Sequence, residues 1–440
     1  MHLLCAMPIG KFESDIVVVG GGLAGCIAAV AAKRTNPNDS VWLIERYGFL
    51  GGMATAGYVF PFMRYQTRDP VSRKAKRLTG GLFQELMDLM HKRGYTEKHG
   101  PFYSRYDPMM FRCVLDEFVT SAGINVLFHG LMNRCTYESE ENTNKRITSV
   151  VIQTKKGEIV FEPRVIIDCS GDADVVFHAG GDYSIGREED GLTQPSTLNF
   201  RMGNVSRLAP GRYFIGKKIK AEKAKGNPLT PRNDCLMFST PNNTEWHFNQ
   251  TRVAGFDFTD PIAMTQAELE GRRQAERMIR FLRQKIPGYR KSTVVGLATQ
   301  LGVRETRRIQ GDYMLTEEDL LNCIQFPDRV TLGNYAIDIH DPKGTASTLI
   351  KRIPEGKFYS IPYRSLIPRG LTNVIVAGRP ISATHVAHSA IRIMPICAGM
   401  GHAAGIAATL TIRNENTLQF REIDINQLQK ILREQNAILE

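Results

Sequence analysis

At 440 residues the chain is too long for one simple hydrophobic core, and two connected domains are expected. Its 42% apolar and 23% charged residues are those of a globular protein. Much of its formal charge of +11 lies in two runs, Arg68 to Arg77 and Lys217 to Lys225; no aromatic side chains interleave there, which argues against a stacking platform for single strands.

The eight cysteines are scattered with no C-x-x-C, which excludes a disulfide framework and a zinc site and suggests small buried residues in a reducing compartment. Met1 to Met7 is too short for a signal h-region and lacks a basic n-region, so a cytoplasmic protein is expected.

Asp15 to Val19 is a short apolar run ending at glycine and reads as a buried parallel strand. Leu23 to Arg34, rich in alanine, reads as a helix, and Val41 to Ile44 as a second strand closed by Glu45. Asp107-Pro108 predicts a helix start, with Asp as N-cap and Pro at the first helical position. Phe111, Val114, Leu115, Phe118 and Val119 then repeat at helical spacing to Gly123, and Ile124 to Phe128 follows as a strand. Ser149 to Gln153 and Glu158 to Phe161 suggest a hairpin around Lys156-Gly157. Val165 to Asp168 reads as a separate buried strand before the turn Ser170-Gly171-Asp172.

From Gly186 to Lys351 the pattern loosens into loops, short strands and a charged helix, Gln266 to Lys285. Asn373 to Ala377 returns to the buried-strand pattern, followed by Gly378 and a helix at Ile396 to Leu410. The longest apolar stretch, Met394 to Leu410, holds Pro395, His402 and three glycines and reads as a packed helix, not a membrane span. Asp424-x-x-Gln427 reads as a capping box opening a last helix with Ile425, Leu428, Ile431 and Leu432 on one face. The expected fold is α/β: a Rossmann-like domain with a parallel sheet in two parts, 1–185 and 352–412. An α+β substrate domain, 186–351, is inserted between them, and a C-terminal helix, 413–440, follows.

Chemistry enters at Gly20, Gly22 and Gly25, a G-x-G-x-x-G between the first strand and the helix. The first glycine makes a tight turn, the second lets backbone approach a pyrophosphate, and the third lets helix and strand pack closely. The helix N-terminus then faces the phosphates, with Leu23 and Ala24 in its first turn. Glu45 lies twenty residues beyond Gly25, where a carboxylate can accept ribose hydroxyls. Gly51-Gly52 allows another backbone approach, and the glycine-rich terminal element suits closure over a flavin. With no separate nicotinamide-type catalytic domain, these features favour FAD over NAD. One nucleotide fingerprint and no close cysteine pair imply that electrons exchange with an external acceptor or donor.

Longer stretches sharpen this. DIVVVGGGLAGCIAA, LIERYGFLGGMAT, YDPMMFRCVLDEFV, IIDCSGDADVV, QPSTLNFRMGNV, GVRETRRIQGDYMLTEEDLL, IDIHDPKG, IPYRSLIPRGLTNVIVAGRPISATHVAHSAIRIMP and AGMGHAAGIAA resemble the bacterial FAD-dependent oxidoreductase family across residues 14 to 411. The resemblance implies FAD, redox chemistry, and a fold related to glucose-inhibited-division-type and succinate-dehydrogenase-type flavoproteins. It places Gly20, Gly22, Gly25, Glu45, Arg46, Gly51, Gly52, Gly171, Asp172, Gly378, Arg379, Gly401 and Ala404 toward the flavin. Many relatives in the wider superfamily have Gly-Asp where this chain has Gly378-Arg379.

Flavin chemistry needs positive charge near the ring and often a base for an alcohol proton. His385, His388 and Arg392 are the first candidates, and Arg304 and Arg307 are a candidate clamp for a carboxylate or an FAD phosphate. Asp338, His340 and Asp341 are a third cluster, read as acid–base and not as a metal site. The leading reading is oxidation or reduction of a polar small molecule such as a sugar, polyol or hydroxy acid. The alternative is an RNA-modifying or RNA-binding flavoprotein, motivated by the net charge and Lys217 to Lys225. Oligomerisation is left open.

Overall fold

The computed structural model describes residues 9–97, 104–140, 144–242, 244–343, 348–414 and 417–440; Met1 to Met7, with Cys5, lies outside them. The expected βαβ unit forms β1 (Gly10–Val19), α1 (Leu23–Thr35) and β2 (Val41–Glu45), with β2 parallel to β1. Asp107 caps α3 (Pro108–Thr120) through the Met109 and Met110 N–H groups; α2 (Gly81–Lys92) precedes it, and β3 (Asn125–Phe128) follows.

Next come β4 (Leu131–Ser139), β5 (Lys145–Gln153) and β6 (Glu158–Asp168). Where two strands were expected, β6 is one continuous strand that pairs with β1 along its length, because Pro163 sits opposite Ser14 without interrupting the ladder. Its first half takes β5 in the expected hairpin, and its second half takes β13 (Val374–Val376), returning after the insertion. The seven-stranded sheet runs β3-β2-β1-β6-β5-β4, with β13 beside β6. β1, β2, β3, β6 and β13 are parallel, so their carboxyl ends share one edge, where ligands collect in such sheets.

A second core gathers Leu198 to Val303 with Tyr58. It includes β7 (Phe200–Gly203), β8 (Met237–Ser239) and β9 (Trp246–Phe248); the exposed β10 (Thr293–Leu297) completes their sheet, in the order β8-β9-β7-β10. The charged helix, α5 (Pro261–Lys285), buries Ala267, Ala275, Met278, Phe281 and Leu282 there. The expected insertion, 186–351, therefore divides between two cores: Ile309, Leu315, Leu320, Val330 and Ile337 pack with the first.

The two basic runs occupy a hairpin, Gln66–Arg68 with Ala75–Arg77, and α4 (Arg212–Ala224), which buries only Ile215, Gly216 and Ile219. Beyond β13 come α6 (His385–Ile391), α7 (Met394–Arg413) and α8 (Ile425–Glu434). α7 is long and apolar enough to cross a membrane, but 94% of its most apolar window is buried inside the protein. Asp424 caps α8 alone, through the Asn426 N–H, and not in the expected reciprocal box with Gln427. The seven described cysteines are free.

Candidate dinucleotide and substrate cleft

The carboxyl ends of the parallel strands open into a cavity of about 460 Å³. Gly20, Gly22, Leu23, Ala24, Glu45, Arg46, Gly51, Gly52, Gly171, Gly378 and Arg379 line it. Gly20 has φ +102°, and a Cβ there would lie 2.3 Å from the Cys169 carbonyl oxygen, so only glycine permits this turn. Gly22 has an open front: its nearest neighbour to an added Cβ is Gly52 Cα at 4.0 Å. α1 begins there with no side-chain cap, leaving first-turn N–H groups toward the cleft. The Gly51 N–H donates to the Gly21 carbonyl at 2.8 Å, which lays the second glycine pair across the first loop.

Glu45 is 4% exposed and accepts the Gly21 N–H at 2.7 Å and the Tyr47 N–H at 2.9 Å, one on each carboxylate oxygen. Burial raises its pKa, and those two N–H groups oppose the shift. The carboxylate is thus fixed, with lone pairs left for a ligand hydroxyl. Asp168, missed in the sequence, shapes the neighbouring turn: it accepts the Ser170 hydroxyl at 2.7 Å and the Val175 N–H at 2.9 Å.

Four expected cofactor positions have other duties. Asp172 does not line the cavity. It accepts Arg379 Nη2 at 2.6 Å and the Thr306 hydroxyl at 2.8 Å. Burial opposes its charge, but Arg379 and Arg46 hold its pKa below the usual carboxylate range. It therefore positions Arg379, which does line the cleft. Gly25, Gly401 and Ala404 also lie off the lining. A Cβ at Gly25 would sit 1.9 Å from the Gly20 carbonyl oxygen, and one at Gly401 2.1 Å from the Ala24 carbonyl oxygen. Gly25 and Gly401 bring α1 against β1 and α7 against α1, and Ala404 is buried in α7. Backbone approaching backbone selects glycine as strongly as backbone approaching a ligand does.

The remaining wall combines distant segments: Phe60 and Met63, then Arg232, Asp234, Leu236, Phe238 and Asn249 around β8, then Gln300 and Arg304. The hairpin of β11 (Ile337–Ile339) and β12 (Leu349–Lys351) adds Asp338, His340, Thr348 and Ile350, and Tyr335, Arg392 and Met394 complete it. His340 is 7% exposed; its Nδ1 is 3.1 Å from Thr348 Oγ1, and its Nε2 is 3.6 Å from Asp338 Oδ2. Burial first, then Arg304, Arg392, Arg232 and Arg252, push its pKa well below the ordinary value, so it is neutral. The Tyr335 hydroxyl donates to Asp338 at 3.1 Å.

The structure separates the histidine candidates. His385 and His388 share α6 as expected, but neither lines the cavity. His385 Nδ1 pairs with Glu305 at 2.9 Å, a carboxylate with no exposed surface that also binds Arg308 and the Gln194 N–H. His388 Nε2 meets the Arg379 carbonyl oxygen at 3.1 Å. Arg307 points away, to Asp174 at 3.2 Å and over the Phe177 ring at 3.9 Å. Of the first catalytic set, Arg304, His340 and Arg392 remain on the cleft. Asp341 is off it, and among the described residues no three His, Cys, Asp or Glu side chains gather as a metal site.

A dinucleotide fits this cleft: the glycine pairs leave room, the α1 N-terminus faces it, and Glu45 and two arginines flank it. No curated protein matches the chain. Among solved structures it is similar to a geranylgeranyl bacteriochlorophyll reductase-like protein from Thermoplasma acidophilum, with 12% identity, TM-score 0.47, and 97% of this chain and 84% of that one covered. It is also similar to a flavoprotein/dehydrogenase from Cytophaga hutchinsonii, with 12% identity, TM-score 0.44, and 95% and 83% covered. A p-nitrophenol 4-monooxygenase from Pseudomonas putida matches at 10% identity, TM-score 0.44, over 97% and 84%. The family model described as FAD dependent oxidoreductase matches residues 15–432, so the chain belongs to that family, and its cofactor is FAD.

Proposed function

We propose that this enzyme oxidises a hydroxyl-bearing small molecule (a sugar, polyol or hydroxy acid) bound beside FAD, with His340 as the proton acceptor. The observation carrying this reading is a single cavity shared by the dinucleotide loop and the Asp338–His340 pair. Gly20, Gly22, Leu23, Ala24, Gly51 and Gly52 would hold the FAD phosphates, Glu45 would hold the ribose, and Arg46 and Arg379 would supply positive charge. Bound FAD supplies a two-electron centre that takes up or gives a hydride.

His340 is suited to its part because its imidazole is neutral. With Nδ1–H donating to Thr348 Oγ1, the Nε2 lone pair is free for a substrate hydroxyl proton. Asp338, 3.6 Å from Nε2, offsets the charge that arrives. Turnover would need an external electron acceptor. Anaerobic flavin bleaching against sugars, polyols, hydroxy acids and amines tests the reading; rapid reduction by NADPH alone, with no response to any panel member, would overturn it.

The basic runs are solvated surface and not a nucleic-acid site. Changing Lys217, Lys218, Lys220, Lys223 and Lys225 together to Gln should leave flavin content and turnover within about twofold, with any loss vanishing at high salt. Salt-dependent retention of tRNA by the wild type, abolished in this variant, would favour an RNA partner instead.

A further inference from the structure

We propose that the substrate end of the cleft is an amphipathic acid site: Arg304 and Arg392 hold a carboxylate, and an apolar wall holds an aromatic or branched body. Sugars and polyols are then excluded as substrates. The inference rests on the oxidation reading above and narrows it to hydroxy acids.

The charges are unevenly matched. Arg232 is satisfied by Asp234, with Nε at 3.0 Å and Nη2 at 2.9 Å from its two oxygens. Arg304 and Arg392 have no such carboxylate partner among the described residues. Arg304 is anchored through Nη1 alone, to the Pro195 carbonyl oxygen and, at 2.8 Å, to Thr197 Oγ1. Arg392 donates from Nη2 to Gln194 Oε1 at 3.3 Å, and its buried Nε finds no acceptor among the described residues. Both guanidinium groups are held by neutral oxygens with donors to spare, in a partly enclosed cavity. An unmatched buried donor is costly, and a carboxylate relieves two such groups at once.

Burial first, and then Arg392 beside it, lower the Arg304 pKa to about 9, so the pair repel each other in the absence of an anion. Asp338 is the carboxylate on this part of the lining besides the one taken by Arg232, and it is engaged by the Tyr335 hydroxyl at 3.1 Å. That leaves the site electropositive.

An apolar stretch of the wall selects the body of the ligand. Phe60, Met63, Leu236, Phe238, Ile350 and Met394 line the same cavity. Those six side chains offer a sugar's hydroxyl groups no hydrogen-bond partner and desolvate them. They stabilise a phenyl or branched alkyl group by removing its apolar surface from water. A carboxylate at the arginines leaves an adjacent hydroxyl within the reach of a residue on the same lining, and His340 is that residue.

The test uses the FAD-loaded enzyme and equilibrium binding, read by flavin difference absorbance and calorimetry. The probes are mandelate, its neutral isostere mandelamide, lactate, and glycerol. Mandelate should bind at least about tenfold more tightly than mandelamide, because only the acid brings a negative charge to the arginines. It should also bind more tightly than lactate, because only mandelate uses the wall. Arg392→Gln should weaken mandelate about ten- to hundredfold while leaving mandelamide and FAD content unchanged, and Arg392→Lys should restore part of the loss. Phe238→Ala should weaken mandelate and leave lactate unchanged, so the proposal stays open to test if Arg392→Gln does not fold. Equal binding of mandelate and mandelamide, or no binding of either acid, overturns the site. Tight mandelate binding without flavin bleaching by any hydroxy acid would keep the site and sink the oxidation reading. Bleaching by glycerol with no competition from acids would do the reverse.

Discussion

Replacing His340 with Ala is expected to slow flavin reduction by the true substrate by about a hundredfold or more, the scale of lost general-base help, with FAD content unchanged. Asp338→Asn should cost less, because Asp338 only offsets the imidazolium charge at 3.6 Å. The pH profile adds an independent reading. Burial, and then the four arginines, favour the neutral imidazole, so its pKa lies well below the usual value. The base form is therefore already present through the neutral range and is lost only on strong acidification. Reduction in the wild type should be flat from about pH 6 to 8, with no rising limb near the ordinary histidine pKa of about 6.5. His385→Ala should act differently, leaving the buried Glu305 with one partner fewer and lowering the melting temperature. Stopped-flow reduction and thermal melts separate the two. If His340→Ala reduces at the wild-type rate while His385→Ala is slow, the base lies behind the cleft and this assignment fails.

What was legible in the sequence follows from what is local. β1, the glycine turn, α1, β2 and Glu45 occur in order within thirty-six residues counted from Gly10 to Glu45, and each has its own short-range signature. Asp107-Pro108 likewise announced α3, and the run before Gly378 announced β13. The far wall of the cleft had no such signature. Phe60, Phe238, Arg304, His340 and Arg392 meet only because the insertion folds back over the sheet edge. Arg304 and Arg307 looked equivalent in sequence; one turns to Thr197 and the other to Asp174. The resemblance places Gly401 toward the flavin, but a small residue marks close approach without saying what approaches; at Gly401 it is α1. His385 carries the chemistry of a base but faces Glu305, a pairing eighty residues away in sequence.

That ambiguity of glycine gives the second large effect, a contrast between Gly22 and Gly25. Gly22→Val is expected to give a folded but colourless protein. Its backbone, φ −66° and ψ 176°, is extended and open to any residue, and an added Cβ meets nothing closer than 4.0 Å. The side chain must instead project into the cleft, where the pyrophosphate approaches the loop. Flavin content after reconstitution should fall below about a tenth of wild type, while the apoprotein melts within a few degrees of the wild-type apoprotein. Gly25→Val is expected to fail earlier. Its Cβ would lie 1.9 Å from the Gly20 carbonyl oxygen, so α1 must move off β1, and that shift propagates to α7 through Ala24 and Gly401. Overpacking between backbones costs at least about 1–3 kcal/mol, and here no flexible side chain can yield. Gly25→Val apoprotein should therefore melt well below wild type or aggregate, whether or not FAD is supplied. Absorbance at the flavin band and apoprotein melting curves read the two effects separately. A yellow, fully loaded Gly22→Val would show that the phosphates do not approach this loop, and a Gly25→Val apoprotein with wild-type stability would show that the helix does not depend on that contact.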